Sequence, residues 1–111
     1  MKKSKKTRNK MSFRHHNIDS IPPHIKGVYG FWCRTNGKCV YVGKAEKQSI
    51  KDRLTQHWRN SHNENLRLWI KAFGAFLDIC YLSVKDNRID KMETKLIQIW
   101  HPETNISKQR R

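Results

Sequence analysis

Two short aromatic runs do most to limit what this chain can become. Residues 27–34 read Gly-Val-Tyr-Gly-Phe-Trp-Cys-Arg and residues 39–43 read Cys-Val-Tyr-Val-Gly, with Thr35-Asn36-Gly37-Lys38 between them. β-Branched and aromatic side chains pack well on a pleated surface, and an Asn-Gly pair accepts the positive φ angles of a tight turn. The pattern predicts a β-hairpin. A hairpin alone is marginal in water, so the rest of the chain must cover it.

The covering elements can be read in order. Ile21-Pro22-Pro23 forces an extended lead-in, because a proline disfavours helix for the residue before it. Ser49 with Asp52 has the form of a capping box. Ile50, Leu54 and Trp58 recur at helical spacing, which predicts a helix near 49–60 with that row facing inward. A second helix is expected over 64–73, with Leu66, Ile70 and Phe73 inward and Gly74 at its end. Residues 77–84 read as a third strand. Asn87 with Asp90 starts a last helix that runs to about Trp100 and is stopped by Pro102. The expected fold is α+β: a small three-stranded antiparallel sheet flanked by helices, in the order β-β-α-α-β-α.

Charge says what such a domain would meet. The chain has 111 residues, enough for one domain, and a formal net charge of +15. Residues 1–14 hold seven Lys/Arg and no acid, and residues 108–111 hold three more. The stretch 15–107 keeps 14 Lys/Arg against all nine acids. The organisation expected is a basic, flexible N-terminal extension over 1–24, a folded domain over 25–107 and a basic tail over 108–111, with residues 1–17 lacking any periodicity. Cations that neutralise phosphates release condensed counterions, so arms of this kind bind polyanions without reading sequence. Charge by itself points to nucleic acid and does not separate DNA from RNA. No apolar run approaches the ~20 residues of a membrane span, and no apolar stretch follows the cationic start as in a secretory signal.

Cys33, Cys39 and Cys80 make an odd count with no Cys-x-x-Cys pair, which speaks against a disulfide framework and for a reduced, cytoplasmic setting. Cys33 and Cys39 with one of His15 and His16 form a conceivable zinc set, but the spacing is wider than usual and small buried thiols are the preferred reading.

Three features stand out from a purely structural pattern. On the last helix Ile89, Glu93, Leu96, Ile97 and Trp100 share one stripe, and a carboxylate inside it loses hydration unless cations or donors compensate. Arg53 and His57 are i and i+4 on one helix face, flanking the inward row. A guanidinium matches phosphate oxygens in a fork, and an imidazole moves protons near neutral pH. Tyr29 and Tyr41 occupy the hairpin with Gly27 and Gly43 nearby, and those glycines leave room for a group to approach the backbone. Taken singly, each also fits a rim acid, a surface Arg or a packed aromatic.

Together these residues resemble the GIY-YIG nuclease family. The first tripeptide stands as Gly27-Val28-Tyr29 and the second as Tyr41-Val42-Gly43, with 11 residues between the tyrosines. Arg53, His57, Glu93 and Asn105 follow in the family's order. Val replaces Ile in both tripeptides, a β-branched exchange. Tyr41-Val42-Gly43-Lys44-Ala45 is similar to the incision domain of bacterial excision repair, whereas the Arg53/His57 pair is closer to phage homing endonucleases. The likeness spans roughly residues 27–107.

The resemblance implies a DNA endonuclease that hydrolyses phosphodiesters with one divalent cation, Mg²⁺ or Mn²⁺, held on Glu93, leaving 5′-phosphate and 3′-hydroxyl ends. It makes Tyr29 the first choice for general base, its phenol pulled down by Lys44, Arg53 and the metal. Tyr41 would orient water or the phosphate, Arg53 would stabilise the transition state, and His57 would relay a proton. Asn105 would position the Glu93 helix or the metal shell. Gly43, Lys44, Lys51 and Arg59 are read as substrate contacts. The expected substrate is double-stranded or branched DNA, with a targeting protein or a second copy of the chain as partner. The alternative is a non-catalytic basic module that binds DNA or RNA on the same fold.

Overall fold

The computed structural model describes residues 10–105; residues 1–9 and 106–111, where most of the two cationic arms fall, lie outside the described residues. The elements are β1 (Met11–Ser12), α1 (His15–Asp19), β2 (Gly27–Cys33), β3 (Cys39–Ala45), α2 (Ile50–Asn60), α3 (Glu64–Phe73), β4 (Leu77–Ser83) and α4 (Ile89–Trp100). Short 3₁₀ turns precede β4 and α4. The strands form one antiparallel sheet in the order β1-β4-β2-β3. No helix among the described residues is long and apolar enough to cross a membrane.

The α+β class and the order of the later elements are as expected. The sheet has four strands rather than three, and the extra one comes from a segment expected to lack structure. Met11 and Ser12 pair with Ile79 and Asp78 at the edge of β4. Phe13 explains why: it is buried and packs edge-on against Phe31, with ring centroids 4.8 Å apart. Ile18 and Ile21 follow it into the core. One aromatic and two isoleucines, each worth about 1.5–3 kcal/mol on burial, tie this cationic stretch to the domain.

The hairpin is present with a wider turn than Asn-Gly alone suggests. The Gly37 amide donates to the Cys33 carbonyl, the Asn36 side chain accepts from the Lys38 amide, and only Gly37 is left-handed, at φ 71°. Pairing runs Tyr29 with Gly43 and Phe31 with Tyr41, then jumps to Trp32 with Cys39, so Val40 is an extra residue in β3. That bulge resets the alternation of side chains. Val40 and Tyr41 both join the cluster under α2 and α3, while Cys39 and Val42 join the cluster under α4.

Helices therefore cover both faces. Ile50 and Leu54 of α2 and Leu66 of α3 pack with Tyr29, Phe31 and Ile79 on one side. Ile97 of α4 packs with Cys39, Val42, Trp32 and Trp100 on the other. Two expected core residues are displaced. Trp58 is 40% exposed and lies edge-on to Phe13, because His57 takes the inward position on α2. Phe73 is 47% exposed and packs with Trp69 at the end of α3. Asn63 and Ser49 cap α3 and α2 through their side chains. Asn87 does not cap α4; it lies in a 3₁₀ turn, and the helix begins after Arg88 without a side-chain cap. Gly74 ends α3 in right-handed geometry and opens the 3₁₀ turn that leads into β4.

Candidate active site

The edge strand β3 is where the two helical layers meet, and the motif residues converge there. Both motif glycines have a steric reason. A Cβ at Gly27 would collide with the Leu82 carbonyl oxygen of β4, so the neighbouring backbone excludes any side chain. A Cβ at Gly43 would collide with the Tyr29 ring and hydroxyl. The space beside Gly43 was expected to admit a ligand, but the phenol of its cross-strand partner Tyr29 fills it. Gly43 is thus a seat for the Tyr29 phenol. Val28 and Val42 are both buried, in keeping with a harmless exchange for Ile.

Tyr29 is 1% exposed, and its hydroxyl lies 2.8 Å from His57 Nε2. His57 is buried in turn, with Nδ1 2.7 Å from Ser61 Oγ. The Tyr41 ring sits 6.2 Å from Tyr29 and 5.4 Å from His57. Burial pushes the Tyr29 phenol well above its ordinary range, helped by Tyr41 and opposed by Arg53. Burial also raises Tyr41, with Arg53 opposing and Glu93 adding to it. The same burial, together with the Arg53 and His62 charges, drives His57 down to about 3. At neutral pH the group is therefore a protonated phenol against a neutral imidazole. Among the chain's own groups, loss of hydration outweighs Arg53 at the Tyr29 phenol.

Arg53 is half-buried on α2 beside both phenols; its guanidinium donates to Gln56 Oε1 at 3.3 Å, while its buried Nε has no hydrogen-bond partner. An unmet N–H at a buried position costs about 1–3 kcal/mol and marks a place where an acceptor would be stabilised. Glu93 enters from α4 and is 7% exposed; its charge acts on both Tyr41 and Lys44. Among the described residues no group of three or more His, Cys, Asp or Glu is placed to hold a metal, and Cys33 and Cys39 do not come together with His15 or His16 in such a group. Cys33 and Cys39 are buried thiols, and burial pushes Cys39 up to about 12.

The remaining residues divide. Asn105 lies by the edge strand: its amide donates to the Val42 carbonyl and its Oδ1 accepts from the Val42 amide, both at 2.9 Å. This two-way bond imitates a neighbouring strand and braces β3, rather than holding the Glu93 helix. Lys44 is engaged by Asp90 at 2.6 Å and Glu46 at 3.3 Å, which hold its ammonium in place and raise its pKa. Lys51 donates to the Asp19 carbonyl and fastens α1 to α2. Arg59 is exposed. Ser61, the outer partner of His57, carried no mark in the sequence beyond standing one helical turn after it.

The alignment of these features on one fold is decided by residues 25–105, which match the GIY-YIG catalytic domain. The chain belongs to the GIY-YIG family. Its fold is similar to the N-terminal GIY-YIG endonuclease domain of UvrC from Thermotoga maritima, in a crystal structure with its catalytic magnesium. That match has a TM-score of 0.59 and 22% identity, and covers 83% of this chain and 99% of the other. An asparagine-to-alanine variant of the same domain with its catalytic divalent cation matches at 0.58 and 21% identity, covering 82% and 97%. A tyrosine-to-phenylalanine variant matches at 0.56 and 22%, covering 83% and 98%. No curated protein matches the chain. At such identity the GIY-YIG structures speak for the shared fold.

Proposed function

We propose that this chain is a metal-dependent DNA endonuclease that hydrolyses phosphodiesters by in-line attack of water, leaving 5′-phosphate and 3′-hydroxyl ends. One observation carries the reading: a protonated phenol bonded to a neutral imidazole, a guanidinium with an unmet buried N–H and a nearly buried carboxylate gather around β3. Family membership gives this cluster its nuclease context.

The donor set suits a hard divalent cation. Glu93 supplies one anionic oxygen, and Mg²⁺ accepts a single carboxylate because it keeps several waters. Mg²⁺ or Mn²⁺, when bound, supplies Lewis-acid stabilisation of charge on the phosphate. The chain's own groups do the rest. Arg53 offers its guanidinium to a phosphate oxygen and stabilises the added charge of the transition state. The Tyr29 oxygen takes a proton from the attacking water while its own proton passes to His57 Nε2, so the phenol never has to ionise in isolation. Tyr41 orients the water or the phosphate, and Asn105 keeps β3 in place beneath them. Lys44 sits at the rim, where a phosphate would compete with Asp90 for its ammonium, and Lys51 and Arg59 add positive charge along α2. The net charge of +15 favours a nucleic-acid substrate, and the family context makes DNA, double-stranded or branched, the substrate of this reading. Phosphate contacts position a protein without reading sequence, so specificity would come from DNA shape, a targeting protein or a second copy of the chain.

The test is supercoiled plasmid with Mg²⁺, with EDTA as control, followed by mapping of the ends. The wild-type chain nicks the plasmid, EDTA stops it, and Glu93→Ala loses scission by more than about 10³ while retaining salt-sensitive DNA binding. Nicking by Glu93→Ala at the wild-type rate defeats the assignment of Glu93. Salt-sensitive binding without scission by the wild-type chain would favour the non-catalytic module.

A further inference from the structure

Ser61 belongs to neither tripeptide nor any other motif, yet it is 2% exposed and its hydroxyl lies 2.7 Å from His57 Nδ1. It stands just past the last residue of α2, where the backbone turns extended at φ −63° and ψ 137° before α3 begins. The helix end thereby carries a hydroxyl back against the ring of the residue one turn earlier. The other ring nitrogen faces the Tyr29 hydroxyl at 2.8 Å. Ser61, His57 and Tyr29 form one buried hydrogen-bonded row, and Arg53 and Tyr41 also reach the Tyr29 hydroxyl.

A neutral imidazole has one N–H and one lone pair, so such a row can point either way. If Nε2 carries the hydrogen, the ring donates to Tyr29 and cannot receive its proton. If Nδ1 carries it, the ring donates to Ser61 Oγ, and the Nε2 lone pair is aimed at the phenol. The Arg53 guanidinium beside the Tyr29 oxygen favours the second polarity, since it attracts that oxygen's lone pairs and turns the phenol hydrogen toward His57. The seat at Gly43 fixes the phenol, leaving the imidazole hydrogen as the variable.

We propose that Ser61 is a positioning residue: it accepts the Nδ1–H of His57 and so holds the imidazole in the tautomer whose Nε2 receives the Tyr29 proton. The inference rests on the nuclease reading above. In the step, water loses a proton to the Tyr29 oxygen as its own oxygen bonds to phosphorus, the phenol hydrogen moves to Nε2, and the bond from phosphorus to the 3′ oxygen breaks, that oxygen taking a proton from solvent. The resulting imidazolium donates to Ser61 through Nδ1 and returns its extra proton to solvent after the products leave. Without Ser61, the free preference of imidazole for the Nε2–H form takes over, and the ring donates to Tyr29 instead.

The experiment is long-range ¹H–¹⁵N correlation on the full chain with labelled histidine, with His57→Gln used only to assign the signals, beside plasmid cleavage by the same samples. The wild-type chain should show a pyrrole-type Nδ1 and a pyridine-type Nε2 at His57. Ser61→Ala should exchange these two signatures and lower kcat on the order of 10² with KM unchanged. Ser61→Thr, which keeps the hydroxyl, should restore both. A wild-type His57 in the Nε2–H form overturns the proposal and needs no variant to fold. Ser61→Ala cleaving at the wild-type rate overturns it as well. A wild-type chain that cuts no DNA defeats the nuclease reading instead, and the tautomer in that sample still decides whether Ser61 orients His57.

Discussion

The two faces of the sheet are covered unequally: the larger apolar core lies under α2 and α3, and a smaller apolar cluster lies under α4. Under α4, Cys39, Val42 and Ile97 pack with Trp32, Leu96 and Trp100, and the two tryptophan rings meet edge-on at 4.8 Å. Under α2, comparable burial is given to a phenol, an imidazole, a serine hydroxyl and part of a guanidinium. The first face gains stability for each apolar area removed from water. The second buries polar groups that break roughly even when paired and cost about 1–3 kcal/mol each when not. Buried polar rows fix geometry more than they stabilise. The α2 face thus adds a buried polar row to the main apolar core, whereas the α4 face, Glu93 apart, is a smaller apolar packing surface.

Three perturbations should separate the faces. The largest effect is expected from Arg53→Ala, which removes the unmet donor: single-turnover plasmid cleavage should slow by about 10²–10³, with urea stability little changed. Cleavage at the wild-type rate would take Arg53 out of the site. Next is Trp100→Ala on the opposite face. Trp100 is half-buried, so the loss should be below the usual 3–5 kcal/mol for a fully buried aromatic, at roughly 2–3 kcal/mol in urea unfolding. The cleavage rate of the folded protein should hold. A variant that is fully stable yet inactive would invert the contrast.

The smallest effect concerns pH. His57 falls from an ordinary value near 6.5 to about 3 in the fold. Between those values the unfolded chain binds a proton that the native state refuses, so unfolding free energy rises with pH across this window. The contribution of His57 is whole above about 6.5 and is lost as pH falls toward 3. Between pH 7 and 4.5 the domain should lose on the order of 2 kcal/mol through His57, and His57→Gln should flatten that slope. An unchanged slope would mean that His57 is not held neutral by burial.

Local chemistry in the sequence carried far. Asn36-Gly37 between two aromatic runs foretold the hairpin, Ser49 foretold the start of α2, and the apolar spacing of α4 placed Glu93 among inward residues. Each of those signals acts within one or two turns of chain. What stayed hidden depends on distant partners. Met11–Ser12 became a strand because β4 offered a free edge and Phe13 found Phe31. Trp58 and His57 exchanged roles because Tyr29, 28 positions away, supplied a partner for the imidazole. Asn105 was visible as a motif residue, but nothing near it predicted that both its hydrogen bonds would go to Val42, 63 positions earlier.

The sequence by itself determined the hairpin, the three later helices, the order of elements from β2 onward and the six residues of the family pattern, since these follow from propensity, capping and spacing along the chain. Only the tertiary structure decided which hydroxyl faces which nitrogen, that burial favours the protonated Tyr29 phenol, that Lys44 is engaged by two acids and that Ser61 backs His57. Those outcomes depend on loss of hydration and on contacts of a few ångströms between segments far apart in the chain, and no local pattern encodes either.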